Sequence, residues 1–249
     1  MKPVPYYDQD GITIYHGDCA QVLPFLDPVD LLLTDPPYGI GTGGNKVGVH
    51  GKVWDVQEWD KQTTDYEVIK LAASKARISI IWGGNYYPLP PSRCWLSWDK
   101  NQPDEWISTA HFELAWTNMD RNAHRWRKSQ VAAYANMGKE HPSQKPIELM
   151  HWCIKEAGGD KVGTILDPFM GSGTTLVAAK NQGKRAIGIE QELKYCEIAV
   201  RRLAQQTLFQ CEQPNAEGSR AAGPDPKINE TNPKGGPVDH LVGPALEAK

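Results

Sequence analysis

The ten residues from Leu32 to Gly41 read LLTDPPYGIG, an apolar run that ends in Asp35-Pro36-Pro37-Tyr38. A proline lacks the backbone N–H and has its φ fixed, so two in succession cannot continue a central strand. A buried strand therefore stops here, leaving a carboxylate, a proline carbonyl and an aromatic ring at its carboxyl end. That set suits a planar base bearing an exocyclic amino group. Asp35 and the Pro36 carbonyl can each accept one N–H of the amine while Tyr38 stacks on the ring. An ordinary polar turn uses the same residue types, so these four residues do not decide the matter alone.

A second constellation runs from Thr164 to Thr175, TILDPFMGSGTT. An apolar strand enters Asp167-Pro168-Phe169, a glycine loop follows, and a helix opens with Thr174-Thr175. Gly171 and Gly173 let backbone approach a ligand closely, and a helix N-terminus favours negative groups such as a carboxylate. The next strand ends at Glu190, about twenty residues on, where an acid is placed to bind ribose hydroxyls. Leu176 stands where a third glycine would be, so the dinucleotide fingerprint GxGxxG is not met. No lysine follows the loop, which excludes a GxxxxGK[ST] phosphate loop.

Charge supplies a third signal. The whole chain carries a net charge of −3. Between Asn118 and Pro146, however, six cations (Arg121, Arg125, Arg127, Lys128, Lys139, Lys145) face two anions (Asp120, Glu140), with Trp126 and Tyr134 among them. A charge run is often only a solvated face, but a basic segment with interleaved aromatics also fits an element that grips phosphates. His111 and His124 have no ligand-spaced partners and read as structural.

These groups need a scaffold. Hydrophobic patterning predicts strands over Ile12–His16, Asp30–Thr34, Ile78–Trp82, Cys94–Trp98, Phe112–Thr117, Thr164–Leu166 and Ala186–Ile189. Helices are predicted over Cys19–Leu26, Thr64–Lys75, Pro146–Ala157, Gly173–Gln182 and Leu193–Gln206, with Pro146 at the N1 position of its helix. Such alternation argues for an α/β fold: a doubly wound, mostly parallel seven-stranded sheet with helices on both faces. Several strands with little helix between Ile78 and Thr117 predict an antiparallel edge strand. Gly83-Gly84-Asn85-Tyr86 then falls at the carboxyl edge, where such sheets bind ligands.

With 249 residues, 40% of them hydrophobic, the chain suits one domain with a substantial core. No run approaches the ~20 apolar residues of a bilayer span, and the N-terminus has no apolar signal core, so a cytoplasmic protein is expected. Cys19, Cys94, Cys153, Cys196 and Cys211 are scattered without CxxC or Cys/His spacing, which predicts reduced thiols and neither a metal site nor a disulfide framework. Residues 210–249 contain no aromatic residue and many Pro and Gly. A disordered tail is predicted there, after a domain spanning residues 1–209.

Asp35-Pro36-Pro37-Tyr38, then HPSQKP from His141 to Pro146, then DPFMGSGTT from Asp167 to Thr175, in that order, resemble the amino-group DNA methyltransferases that use S-adenosyl-L-methionine. The catalytic motif preceding the cofactor motif resembles the permuted β class of that family. The likeness covers roughly residues 11–207. It implies a circularly permuted methyltransferase fold, with Asp35, Pro36, Pro37 and Tyr38 as the catalytic set. It also implies a cofactor site of Asp167, Phe169, Gly171, Ser172, Gly173 and Thr174, with Glu190 on the ribose and Asp18 near the adenine. Ser143, Gln144 and Lys145 would close over the methionine end, Lys145 pairing with its carboxylate.

The expected substrate is adenine N6 in double-stranded DNA, on a nucleotide flipped out of the helix. Cytosine N4 is the nearest rival. An RNA substrate and an inactive DNA-binding relative stand further off. The expected oligomeric state is a monomer or a homodimer. Arg121, Arg125, Arg127, Lys128 and Lys139, in a target-recognition segment over about residues 118–140, are expected on DNA, with the loop from Thr42 to Asp60 as second choice. That segment is short, about two dozen residues from the last strand before it to HPSQKP, which implies a short recognition sequence, relaxed specificity or a preference for single strands.

Overall fold

The structure is a computed structural model that describes residues 2–39, 63–103, 110–135 and 144–211. Its strands are β1 (Tyr7–Gln9), β2 (Ile12–His16), β3 (Val29–Thr34), β4 (Ala76–Trp82), β5 (Trp95–Asp99), β6 (Phe112–Thr117), β7 (His124–Arg127), β8 (Thr164–Asp167) and β9 (Arg185–Glu190). They form one sheet in the order β1-β2-β9-β8-β3-β4-β6-β5-β7. The helices are α1 (Cys19–Val22), α2 (Tyr66–Ser74), α3 (Gln130–Ala133), α4 (Ile147–Glu156), α5 (Thr174–Asn181) and α6 (Leu193–Cys211).

The apolar runs in the middle of the sheet follow from burial on both faces. Leu31 and Leu33 of β3 join a core with Met150 and Cys153 of α4 and Leu176 of α5. Leu32, pointing the other way, joins Ile69 and Ala72 of α2. In β4, Ile80 and Trp82 pack on the first side and Ile81 on the second. A one-residue slip would exchange the two sets, so both cores pin the register.

All seven predicted strands form. Two more, β1 and β7, extend the edges, so the sheet has nine strands among the described residues rather than seven. Five neighbours (β2, β9, β8, β3, β4) run parallel. The antiparallel strand in the expected stretch is not at the edge. It is β6, inserted between β4 and β5, while β5 and β7 run parallel beyond it. At the other edge β1 is antiparallel to β2.

Helix starts are set locally. Asp65 caps α2 by accepting from the Glu67 N–H at 2.9 Å, and Ser129 caps α3, which the sequence reading lacked. Pro146 is the cap of α4 rather than its first helical residue, with an extended ψ of 140°. The helix predicted to Leu26 ends at Val22 and tightens into a 3₁₀ turn over Leu23–Phe25, which includes Pro24. No helix among the described residues is long and apolar enough to cross a membrane. The loop from Thr42 to Asp60, residues Lys139 and His141 to Ser143, and the predicted tail beyond residue 211 lie outside the described residues.

Candidate active site

Because five adjacent strands run parallel, their carboxyl ends lie along one edge of the sheet. Asp35 follows β3, Asp167 ends β8 and Glu190 ends β9. β3 and β8 are direct neighbours, with Leu31 opposite Ile165 and Leu32 opposite Leu166. Two motifs more than 130 positions apart in the chain therefore sit side by side; the Thr34 hydroxyl donates to Asp167 Oδ1 at 2.7 Å across a separation of 133 residues.

Two cavities open along this edge. The first, about 530 Å³, is lined by Gly17, Cys19, Asp35, Phe169, Gly171, Ile189, Glu190 and Tyr195, among others. The second, about 390 Å³, is lined by Asp35, Gln144, Lys145, Met150, Asp167, Phe169, Gly171, Ser172, Thr174 and Thr175, among others. Asp35, Phe169 and Gly171 border both. The first cavity offers apolar walls with Glu190 at the end of β9 and Asp35 at its border, and suits a planar ring with a hydroxylated sugar. The second is polar and opens onto the first turn of α5, which suits the charged end of an amino acid.

The Glu190 side of this edge is held by backbone. Glu190 accepts from the Gly171 N–H at 3.0 Å and the Glu192 N–H at 2.8 Å. Burial raises its pKa to about 7 against those hydrogen bonds. Asp167 accepts from Thr34 and from the Phe169 N–H at 3.2 Å. Burial lifts its pKa to about 6, with hydrogen bonds from Thr175 and Thr34 opposing. Its side chain thus fixes the loop from within. Gly173 caps α5 at a φ of +77°, and a Cβ there would stand 2.7 Å from Ala199 Cβ. Its glycine character serves the packing of α5 against α6. Asp18 spends its carboxylate on the N-terminus of α1, accepting from the Ala20 N–H at 2.9 Å, and its neighbours Gly17 and Cys19 form the cavity wall.

The other side is held by side chains. Asp35 Oδ2 accepts from Lys145 Nζ at 2.5 Å and Oδ1 from the Tyr38 hydroxyl. Lys145 also pairs with Glu113 of β6 at 3.2 Å, and Glu113 with Lys100 at 2.8 Å. Burial opposes the charge on Glu113, but the Lys145 and Lys100 ammonium groups outweigh it and hold the carboxyl at about 2. Burial likewise opposes the charge on Lys145, and Asp35 and Glu113 overcome it to put its pKa at about 12. Asp35 is the weaker acid of the two: burial raises its pKa, and Lys145 and Tyr38 offset this only in part. The expected partner of Lys145 was a cofactor carboxylate; its observed partners are these two acids.

Tyr38 lies against the glycine turn after β4. A Cβ on Gly83, whose φ is +66°, would stand 2.0 Å from Tyr38 Cε1, and Tyr86 stacks on Tyr38 with centroids 4.9 Å apart. The Pro37 carbonyl accepts from the Tyr87 hydroxyl at 2.5 Å. Gln144 is tied down by Ser172, which donates to its Oε1 at 3.2 Å, and by the Tyr134 hydroxyl on its carbonyl.

Three residues of this edge escaped the sequence reading: Glu113, Lys100 and Arg202, the last donating to the Ser172 carbonyl at 2.5 Å and to Thr174 Oγ1 at 3.2 Å. None lies in a motif. Glu113 arrives because β6 is antiparallel, which brings its first residues to the edge where β4 ends.

The basic segment divides in two. Arg127 pairs with Asp99 at 2.7 Å, Arg125 with Asp99 at 3.4 Å, and Lys128 with Glu148 at the start of α4. All three lie on β7 or at its carboxyl end, the edge that holds Asp35. Arg121 precedes β7 and joins Glu156 at the far end of α4, together with His124.

The strand order, the cavities along one sheet edge and the glycine loop between them define a methyltransferase fold of the S-adenosylmethionine-dependent type. A family model described as DNA methylase, covering the N6 and N4 amino-methyltransferases, matches residues 50–201, and the chain belongs to that family. It is 29% identical to the type II methyltransferase M2.DpnII of Streptococcus pneumoniae, over 80% of this chain and 92% of that one. It is 28% identical to M2.LlaDCHI of Lactococcus lactis subsp. cremoris, over 80% and 91%. Among solved structures, the M1.HpyAVI–SAM complex matches with a TM-score of 0.50 and 25% identity, covering 77% of this chain and all (100%) of that one. The cytosine-N4-specific PvuII DNA methyltransferase matches in fold, with a TM-score of 0.52 at 15% identity, over 87% and 91%.

Proposed function

We propose that this chain is an adenine-N6 DNA methyltransferase of the permuted β class, acting on a nucleotide turned out of the double helix. The observation that carries the reading is Asp35. One carboxylate borders both cavities, so an amine bound to it lies beside whatever the cavities hold. The cavity walls fit S-adenosylmethionine, with Glu190 and Phe169 at the adenosine half and Gln144, Ser172, Thr174 and Thr175 at the methionine half. That cofactor supplies an electrophilic methyl group on sulfur.

The residues of the chain do the rest. An exocyclic base amine is a weak nucleophile because its lone pair is delocalised into the ring. Asp35 and the Pro36 carbonyl accept its two N–H bonds, which draws the nitrogen toward tetrahedral geometry and frees the lone pair. Tyr38 offers its ring to the base, and the fixed loop from Asp167 to Gly173 aligns the donor, so rate comes from positioning and electrostatics. Extrusion of the base costs a few kcal/mol of unstacking and unpairing. Asp rather than Ser at position 35 supports adenine over cytosine within the family likeness. Arg127 and Lys128, on the edge that holds Asp35, are the DNA contacts this reading favours over Arg121.

Labelled S-adenosylmethionine is incubated with unmethylated DNA, and the nucleosides are separated after digestion. N6-methyladenine is expected. Asp35→Ala is expected to abolish it while cofactor binding persists. Label on N4-methylcytosine overturns the base assignment, and label only on RNA overturns the polymer.

A further inference from the structure

Both oxygens of Asp35 already hold a donor. An ammonium that keeps its place on Oδ2 competes with the incoming amine and neutralises the carboxylate that should receive it. Lys145 must therefore yield, yet a buried ammonium cannot simply be left without a counter-charge, because desolvation alone costs several kcal/mol per ion. The structure contains the alternative. Lys145 Nζ lies 2.5 Å from Asp35 and 3.2 Å from Glu113, with side chains 8% and 26% exposed for Lys145 and Glu113.

We propose that Glu113 is a positioning residue for methyl transfer: it takes over the Lys145 ammonium when the target amine occupies Asp35, so the lysine withdraws without losing its charge partner. The inference rests on the reading that Asp35 receives the amine. Lys100, only 5% exposed, completes an alternating row Asp35–Lys145–Glu113–Lys100 with no net charge. It keeps Glu113 fixed and ionised whichever way Lys145 leans. The groups around this row are Tyr38 and Tyr134, Asp167 beyond Asp35, and the Trp82 ring 5.9 Å beneath Lys145. Without Glu113 the lysine has only Asp35 and stays there.

The test is a double-mutant cycle of Glu113→Gln and Lys145→Met, with Glu113→Asp alongside. Methyl transfer to DNA, S-adenosylmethionine affinity by calorimetry and thermal melting are read for each variant. Glu113→Gln should lower kcat roughly 10- to 100-fold, the scale of a misplaced reacting group, with cofactor affinity unchanged. The acid limb of the kcat–pH profile should move to lower pH, because loss of the Glu113 anion makes Asp35 a stronger acid. In the Lys145→Met background the same change should cost almost nothing in kcat.

An equal cost in both backgrounds, or an unmoved acid limb, overturns the proposal. Should Glu113→Gln fail to melt cooperatively, Glu113→Asp carries the test: the charge is kept but its reach is shorter, so kcat falls a few-fold with the limb in place, and an unchanged kcat overturns it. A wild-type protein that labels no base overturns both readings. An active wild type matched by the Glu113 variants overturns only this one.

Discussion

Glu190 and Asp35 are both acids at the carboxyl ends of parallel strands, but they are held in different ways. The partners of Glu190 are backbone amides, Gly171 and Glu192, and those cannot leave without unfolding the loop. The partners of Asp35 are a lysine and a tyrosine side chain, and those can rotate away. The first corner is built before its ligand arrives. The second is filled by the protein's own groups, Lys145 and Tyr38. Under the proposed function, a site that takes a small cofactor and then a nucleotide turned out of a duplex uses both kinds of construction.

The largest effect is expected at Gly83. In Gly83→Ala the new Cβ would meet Tyr38 Cε1 at 2.0 Å from a left-handed backbone, so Tyr38 must move. A loss in kcat of about 10²-fold is expected, the cost of misplacing a reacting group, with S-adenosylmethionine affinity intact by calorimetry. If cofactor affinity falls equally, the two corners are not separate.

Gly173→Ala strikes the other corner, where the Cβ would crowd Ala199 at 2.7 Å. We expect about 1–3 kcal/mol of destabilisation from overpacking, read as a lower Tm together with weaker cofactor binding.

A pH titration sharpens the contrast. Burial raises Glu190 to about 7, so in the free protein the acid ionises only as pH rises through neutrality. Hydroxyl donors on the ligand favour the ionised form, so the complex binds fewer protons than the free protein. Affinity for S-adenosylmethionine should therefore rise with pH, by at most about tenfold per unit below 7, and level off above it. Glu190→Gln should remove the dependence; its persistence would assign the proton elsewhere.

The smallest effect separates the halves of the basic segment. Arg127→Ala should weaken DNA binding and reduce the salt slope by about one unit, the change produced when one phosphate is no longer neutralised. Arg121→Ala should leave the slope alone and lower Tm instead, by breaking the pair with Glu156. Equal slopes for both variants would place DNA off this edge.

What could be read from sequence follows the same division. The run from Leu32 to Tyr38 reveals a strand and its end because leucines need burial on both faces and prolines forbid continuation. The glycine loop is legible because Gly171 and Gly173 take positive φ values of 51° and 77°. These are local demands. β1 and β7 are not legible, since YDQ and HRWR lie at sheet edges and need no apolar alternation. Glu113 is equally silent: the scarcity of helix between Ile78 and Thr117 points to an antiparallel strand, but nothing in FELAWT says that this strand is the one, or that it lies inside the sheet beside β4. Lys145 stands out by its motif, but its partners come from strands more than 30 and 100 residues away. Arg121 and Arg127 look alike in a charge count, and only strand direction sorts them.

The two corners must share one crevice at Asp35. A crystal structure of the protein with S-adenosylmethionine tests this most directly. The adenosine half should lie beside Glu190 and Tyr195, the amino-acid half beside Ser172 and Thr175, and the sulfur against the Asp35 side of the cavities. A cofactor bound away from Gly171, or one whose methyl group faces away from Asp35, would contradict the shared crevice.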